Sequence, residues 1–267
     1  MTDRLLLGAS IRTFHDCLAL ASQFGLGLEI QAFAYPAVLA TDWKTLLGDY
    51  KRVLATFKGE LAMHGPFIDM AAGSADQLIR GVVRERILTA LETASELNAP
   101  TVVFHANFLA TMRNIGYRTE FHHNQLEFWP PLADRAAALG VQIVLENMWE
   151  FDPYIIRNVL VAINHPALCA CLDIGHAALF SDAEYSIAKW IEVMTPWLKH
   201  VHINNNPGTV DEHHALDDGI IDYAQVLPLI RALARPPTMT LEMYEIDAMR
   251  DSLRFLDVGE PVSVPKL

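Results

Sequence analysis

The stretch "CLDIGHAALF", residues 171–180, ends an apolar run on Asp173 and places His176 three positions later. A strand of this composition suits burial, yet it finishes on two groups that are costly to transfer out of water. Five other apolar runs end in the same way. The residues near the six run ends are His64 in "ELAMH", His105 in "TVVFHAN", Glu146 in "VQIVLEN", Asp173 in "LCACLD", His202 in "KHVHIN" and Glu242 in "TMTLEM".

Three further candidates fall in the connecting segments. His176 follows one strand, and "DEHHALDDG" contributes Asp211 and His213, which brings the set to five histidines and four carboxylates. Taken alone, each residue has a competing structural interpretation, such as a satisfied core histidine or a helix cap. Nine residues at equivalent positions are harder to explain in that way.

Strand alternation gives these side chains a direction. Glu146 shares a strand face with Val144, whereas the bulky Leu145 and Ile143 belong to the opposite face, which would pack on helices. An inward ring of acids and imidazoles without matching lysines or arginines would repel itself unless cations lay among its members. The sequence therefore predicts a divalent-metal site.

The elements that must position this ring follow from the hydrophobic pattern, because short apolar runs alternate with amphipathic stretches along the whole chain. The strand candidates are residues 5–10, 26–33, 60–64, 101–107, 141–147, 168–173, 199–204 and 238–243. The helix candidates are residues 13–24, 42–57, 76–97, 122–139, 153–163, 184–195, 222–234 and 247–257. This order predicts an α/β fold, a single (β/α)₈ TIM barrel with its site at the C-terminal end of the strands.

The barrel is expected to span residues 1–258, with an irregular tail at 259–267. Capping boxes at Ser74 with Gln77 and at Ser181 with Glu184 are expected to open the third and sixth helices. The helices give no indication of an oligomeric state.

Composition narrows the class of protein. The 267 residues are 52% apolar and carry a net charge of −12, which disfavours broad attraction to nucleic acid unless bound cations reverse the local field. Without a long apolar stretch or a leader pattern, we expect a cytoplasmic protein with no membrane partner. Three cysteines make no disulfide framework, and Cys169 and Cys171 are interpreted as buried fillers in preference to thiolate ligands.

With these residues identified, the chain resembles the xylose isomerase-like barrel superfamily, which contains endonuclease IV and many sugar isomerases and epimerases. The resemblance runs from "MHGPFIDMAAGS" through "VVFHANF", "VLENMWEFDP", "CLDIGHAALF", "VHINN" and "DEHHALDDGIIDY" to "TLEM". In endonuclease IV-like proteins, nine side chains hold a cluster of metal ions, usually zinc. The matching positions are His64, His105, Glu146, Asp173, His176, His202, Asp211, His213 and Glu242.

The sugar-epimerase branch implies a smaller site. There a single Mn, Mg or Co ion is held by the residues matching Glu146, Asp173, His202 and Glu242, and the residue matching His176 contacts substrate. One to three ions per chain are therefore expected, with zinc or manganese favoured.

Two reactions follow from these branches. A sugar or sugar phosphate isomerase or epimerase would use Glu146 and Glu242 to remove and return a proton through a metal-stabilised enediolate. An endonuclease IV-like zinc phosphodiesterase would instead cleave DNA at abasic sites. We rank the isomerase first because the chain is acidic and lacks obvious basic loops. A non-catalytic metal-containing binding protein is the third alternative.

The substrate is expected to be a small carbohydrate. Besides His176, the candidate substrate contacts are Glu29, Trp149 and Phe67, with Arg12 and Phe108 as further candidates. Two departures from the resemblance concern the seventh strand's loop: residues 203–214 contain no arginine, which sugar 3-epimerases usually place there, and "LDDG" at 216–219 replaces Leu-Gly-Glu-Gly.

Overall fold

A computed structural model of the chain describes residues 3–259 and has a closed barrel of eight parallel strands in sequence order. The strands are Leu5–Ala9 (β1), Gly27–Ile30 (β2), Leu61–His64 (β3), Thr101–His105 (β4), Gln142–Glu146 (β5), Leu168–Asp173 (β6), Leu198–Ile203 (β7) and Thr238–Leu241 (β8). Pairing of β1 with β8, which sets Leu6 opposite Thr240, closes the barrel. The predicted (β/α)₈ barrel is confirmed.

The helices follow the strands around the outside. They are Phe14–Phe24 (α1), Pro36–Leu39 (α2), Trp43–Leu54 (α3), Gln77–Leu97 (α4), Ile115–Ala138 (α5), Tyr154–Ile163 (α6), Ile174–Phe180 (α7), Ile187–Met194 (α8), Tyr223–Arg231 (α9) and Ile246–Phe255 (α10). None of these described helices is both long and apolar enough to cross a membrane.

The two faces of each strand enter different cores, as β5 illustrates. Ile143 and Leu145 belong to the large core between strands and helices. Val144 lies in a separate cluster with Cys169 and Cys171, and the predicted burial of both cysteines is confirmed. Period-two alternation thus directs alternate side chains of β5, Glu146 included, toward the barrel axis.

Strand register sets the height of the polar residues. His105 is paired with Glu146 across β4 and β5, and Asp173 is paired with His202 across β6 and β7. Because the strands are parallel, side chains that end them lie at one rim of the barrel.

Both capping-box predictions are wrong. Asp76 caps α4, since its carboxylate accepts a 2.8 Å hydrogen bond from the Leu78 amide, whereas Ser74 accepts from the amide of Asp76. Ser186 caps α8, and Ser181 instead accepts a 2.6 Å hydrogen bond from the indole of Trp190. In both places a residue closer to the first helical turn takes the capping role.

Helix boundaries differ elsewhere too. α5 begins at Ile115, seven residues before the predicted start at residue 122, and Asn114 caps it by accepting from the Tyr117 amide. The short helices α2 and α7 were not predicted. Of the predicted tail at 259–267, residues 260–267 lie outside the described part of the chain.

Candidate metal centre

All nine predicted ligands meet at the C-terminal end of the barrel. Their ligand atoms form three groups, and within each group the atoms lie within 4.8 Å of one another. The groups are His64, His105 and Glu146; Glu146, Asp173, His202 and Glu242; and His176, Asp211 and His213. Glu146 belongs to the first two groups, which makes it the residue that connects them.

The Glu146 carboxylate lies at the centre of the first group. Its Oε2 is 3.3 Å from Nε2 of His64 and 3.1 Å from Nε2 of His105. Two ligand atoms on one tetrahedral zinc ion, with bonds of about 2.0 Å, are roughly 3.3 Å apart. The spacing of these donors therefore suits a shared metal ion.

The second group surrounds Nδ1 of His202. This nitrogen is 3.0 Å from Oε2 of Glu242, 3.3 Å from Oε1 of Glu146 and 3.9 Å from Oδ2 of Asp173. His202 and Asp173 are completely buried. Three carboxylates around one imidazole nitrogen need a cation, either a proton or a metal ion, to offset their repulsion.

The third group is built around Asp211, in the loop after β7. One carboxylate oxygen is 3.2 Å from Nε2 of His176, and the other is 3.3 Å from Nε2 of His213. The ligand sphere of a metal here would combine two imidazoles with one carboxylate, a set that suits zinc.

Backbone carbonyls fix the ring orientation of three histidines. Nδ1 of His64 donates to the carbonyl of Gly65, and Nδ1 of His176 donates to the carbonyl of Asn147. Nδ1 of His213 donates in the same way to the carbonyl of Glu242. Because a carbonyl can only accept, each ring in its neutral form holds its proton on Nδ1 and presents the Nε2 lone pair to its group.

The acids and imidazoles strongly perturb one another's ionisation. Burial alone would raise the pKa of Glu146, but the charges of His105 and His202 hold it well below its usual value. Burial lowers the pKa of His105. For His213, burial is outweighed by the hydrogen bond to Asp211 and the charge of Glu242, which raise its pKa to about 9.

Unsatisfied polar atoms provide the test of whether a metal fits. Several buried side-chain atoms in the described residues have no hydrogen-bond partner, and four of them belong to the candidate ligands, namely both oxygens of Glu146, Nδ1 of His202 and Oδ1 of Asp211. Orphaned buried acceptors are costly, and these belong to the three groups. Imidazole and carboxylate donors are also the ligands that zinc and manganese use. The donor set therefore fits divalent metal ions.

The loop that carries Asp211 and His213 is held by a short antiparallel bridge. The amide of Asn205 donates to the carbonyl of His214, and the amide of His214 returns a 2.7 Å bond to Asn205. His213 adopts a left-handed backbone conformation with φ 51°, which is uncommon for a residue other than glycine. Gly219, in "LDDG", leaves room for the Asn205 side chain, with which a Cβ would clash.

Asp173 is anchored on both carboxylate oxygens. Oδ1 accepts from the amide of His176 and so caps α7, while Oδ2 accepts a 2.9 Å bond from the Asn204 side chain. Gly175 makes this possible, because a Cβ there would clash with Oδ1 of Asn204. Burial raises the pKa of Asp173 to about 6.

A cavity of about 600 Å³ opens above the cluster. Its polar floor consists of Gln31 and seven of the nine candidate ligands, namely His64, His105, Glu146, His176, Asp211, His213 and Glu242. Its walls include Tyr35, Phe67 and Tyr244, and the ring of Tyr244 stacks on His213 at 4.6 Å. Arg12, which sequence analysis also proposed as a contact, lines the cavity 3.9 Å from Glu245.

The structure does not bring every predicted contact to the cavity. Phe67 lines it, but Trp149 does not, and its side chain is 43% exposed. Phe108 is buried against Phe121 and Phe151. Glu29 is completely buried below the cluster, where it accepts from His200 and His202.

Sequence reasoning missed Gln31, whose Nε2 donates a 2.7 Å hydrogen bond to Oε1 of Glu242. The available signal was position, since Gln31 directly follows β2 at the rim where the other strands end in functional residues. Its neutral amide differs from the acids and imidazoles that make up the rest of the ring.

The fold and the site define the class of protein. The chain belongs to the xylose isomerase-like TIM barrel family, which it matches over residues 18–258. A sequence relative, the uncharacterized protein MJ1311 of Methanocaldococcus jannaschii, is 26% identical over 208 residues, which are 76% of this chain and 69% of the relative. The resemblance drawn from the motifs is thus confirmed.

Two solved structures illustrate the similarity. The TTHB071 protein of Thermus thermophilus, in a structure described as soaked with ZnCl2, is 30% identical with a TM-score of 0.80, covering 95% of this chain and 96% of that one. A D-tagatose 3-epimerase-like protein is 21% identical with the same score and coverages. Structures with TM-scores of 0.71 to 0.74 include sugar epimerases, an AP endonuclease of family 2 and a protein with a bound zinc atom. At 13–18% identity, these last show the fold alone.

Proposed function

We propose that the protein is a divalent-metal-dependent isomerase or epimerase of a small carbohydrate or sugar phosphate. The observation that carries this proposal is the placement of two carboxylates at one cavity. Glu146 and Glu242 lie 3.3 Å and 3.0 Å from the same nitrogen of His202, and both line the cavity. An isomerase needs such a pair, one group to take a carbon-bound proton and one to return it.

The two glutamates are not equivalent. Glu146 is 1% exposed, and both of its oxygens face imidazoles. The Glu242 side chain is 13% exposed, with Oε1 held by Gln31 and Oε2 near His202. Glu242 is therefore the better placed to take a proton from a bound molecule, while Gln31 keeps its carboxylate aimed at the cavity.

The metal ligands and the cavity walls have different tasks in this reaction. A divalent ion held by Glu146, Asp173, His202 and Glu242 would supply Lewis acidity toward neighbouring oxygens of a hydroxy-carbonyl substrate. The rings of Tyr35, Phe67 and Tyr244 provide apolar walls, which exclude water from the proton-transfer step and suit the apolar face of a sugar ring.

Phosphodiester cleavage at abasic DNA is the second candidate, and one observation favours it. The three ligand groups provide for more than the single metal that proton transfer requires. Zinc also fits the third group, and the similar TTHB071 structure is described as soaked with a zinc salt.

The charge around the barrel mouth favours the isomerase over this second candidate. Beside the cluster, a groove is lined by five carboxylates, those of Glu212, Asp217, Asp218, Glu245 and Asp251. Arg113, in the segment after β4, is paired with Asp182 at 2.8 Å. Arg118 is paired with Asp152. Polyanion binding relies on unpaired cations, so this surface is poorly suited to a DNA duplex.

The first test measures proton exchange directly. Protein reconstituted separately with zinc and with manganese is incubated in heavy water with a panel of ketoses and ketose phosphates, and deuterium at carbon is followed by NMR. Metal-dependent deuterium incorporation with wild type, and none with Glu242→Gln, is the expected result. No exchange across the panel by metal-loaded protein would count against the isomerase.

The same preparations decide the other candidates. A synthetic duplex with one abasic site is incubated with each metal-loaded protein, again with Glu242→Gln as the blank. Incision that is lost in the blank would establish the phosphodiesterase and replace the isomerase proposal. If metal-loaded protein is inactive in both assays, the remaining interpretation is a non-catalytic metal-binding protein.

A further inference from the structure

Beneath the candidate metal centre, the barrel interior contains a second polar layer that the reaction does not use. It consists of Glu29, His200, Thr238 and Thr240, which are 0–5% exposed. Oε2 of Glu29 is the hub, because it accepts from Nε2 of His200 at 2.8 Å, from Nε2 of His202 at 3.1 Å and from the Thr240 hydroxyl at 3.0 Å. Burial of a carboxylate is costly, and these three donors offset part of that cost, while the other oxygen of Glu29, Oε1, is buried without a hydrogen-bond partner.

The contact with His202 connects this layer to the centre. His202 directs Nδ1 toward Glu146 and Glu242, and its other nitrogen, Nε2, contacts Oε2 of Glu29 in the layer below. An ionised carboxylate accepts and cannot donate, so the proton of a neutral His202 must reside on Nε2. The lone pair is then on Nδ1, the nitrogen that the three carboxylates of the second ligand group surround.

We propose that Glu29 is a positioning residue that selects the Nε2-protonated form of His202 and thereby makes Nδ1 the metal ligand. The inference depends on the metal binding proposed above but not on the reaction. Glu29 does not line the cavity. Its ligand atom lies within 4.8 Å of those of His200 and His202, and the proposal assigns this contact to orienting His202 rather than to binding a metal ion.

The remainder of the layer holds Glu29 in place. Nδ1 of His200 contacts the Thr238 hydroxyl at 2.5 Å, so its Nε2 is left to bond Glu29. With three donors directed at its Oε2, Glu29 is placed as a hydrogen-bond acceptor, and a carboxylate partner increases the basicity of a ligating imidazole.

The test compares Glu29→Gln, which is nearly isosteric and uncharged, with Thr240→Val. The second variant removes a partner of Glu29 but leaves the contact between Glu29 and His202 intact. Zinc dissociation constants are measured by competition with a chromophoric chelator, and melting temperatures are measured on the metal-free proteins. Glu29→Gln is expected to weaken the tightest zinc site about 10- to 100-fold, and Thr240→Val much less.

A spectroscopic readout on the wild-type protein makes the proposal independent of whether the variant folds. In zinc-loaded protein with isotope-labelled histidine, long-range proton–nitrogen correlations report which nitrogen of His202 carries the proton. A proton on Nε2 and zinc on Nδ1 are expected. A proton on Nδ1 would overturn the proposal, as would unchanged zinc affinity in Glu29→Gln accompanied only by a lower melting temperature.

Failure of the underlying metal proposal would look different. If the wild-type protein binds no divalent metal, both proposals are refuted. If the wild-type protein binds zinc and Glu29→Gln binds it with the same affinity, only the role of Glu29 is refuted.

Discussion

Nδ1 of His213 donates a 2.7 Å hydrogen bond to the backbone carbonyl of Glu242, so one candidate ligand orients another. His213 lies in the loop after β7, whereas Glu242 directly follows β8. The third ligand group is thereby attached to the second without sharing a side chain, in contrast to the first group, which shares Glu146. This difference predicts how metal is lost when single ligands are removed.

We expect His64→Ala and His213→Ala each to lose one metal ion per chain while keeping the ions bound by the other groups. Glu146→Gln should lose more metal than either, because two groups use its carboxylate. Elemental analysis after dialysis measures the bound metal, and His123→Ala, whose side chain is 69% exposed, is the control. Full metal retention in both alanine variants would contradict the assignment of three groups.

The close contact between Gly175 and Asn204 predicts a stability effect. Gly175→Ala should destabilise the protein by about 1–3 kcal/mol through overpacking, since the new Cβ would meet Oδ1 of Asn204. Because Asn204 also binds Asp173, zinc affinity should fall as well. Urea unfolding measures the first effect, and chelator competition measures the second.

Gly81→Ala is the matched control for that substitution. Gly81 lies inside α4, and a Cβ there meets nothing within 4 Å. Alanine should therefore stabilise the helix by about 0.5–1 kcal/mol and leave zinc affinity unchanged. If both variants behaved alike, the proposed clash at Gly175 would be disproved.

Metal affinity should rise with pH. In the metal-free protein, burial lowers the pKa of His213, but the hydrogen bond to Asp211 outweighs burial and raises that pKa to about 9. Burial would lower the pKa of His176 in the same group, but the charge of Asp173 raises it well above its usual value. Below about pH 9 a metal ion must therefore displace protons from both rings, so affinity for the third group should increase at least about tenfold per pH unit. Asp173, with a pKa raised to about 6 by burial, adds a further proton to displace below that value. Chelator competition between about pH 5.5 and 9, roughly the window these pKa values span, measures the slope, and a flat profile would refute the coupling.

Metal removal should lower thermal stability. The bound ions would neutralise buried carboxylates that otherwise lack partners, and a ligand at about 100 times its dissociation constant stabilises the folded state by about 2.7 kcal/mol. For a domain of this size, this free energy corresponds to a melting temperature that is roughly 5 °C or more higher with zinc than without it. Calorimetry with and without zinc measures this difference, which should be smaller in Glu146→Gln because its site is weakened.

The sequence by itself determined the barrel and the membership of the candidate centre. Alternation of side chains along β5 directs Glu146 toward the barrel axis, and this direction does not depend on distant parts of the sequence. Parallel strands then bring their C-terminal ends to one rim of the barrel. These are local properties, so the six candidate ligands at strand ends, such as His64 and His105, could be predicted from the run in which each one lies.

Only the tertiary structure decided which ligand groups have a residue in common and how each side chain is oriented. Glu29 and His202 are 173 positions apart, and closure of the barrel brings them within hydrogen-bond distance. Loop conformation, which depends on contacts between distant segments, kept Trp149 away from the cavity and brought Gln31 to Glu242. The direction of each side chain is local, but its partners are set by packing among strands that the sequence separates.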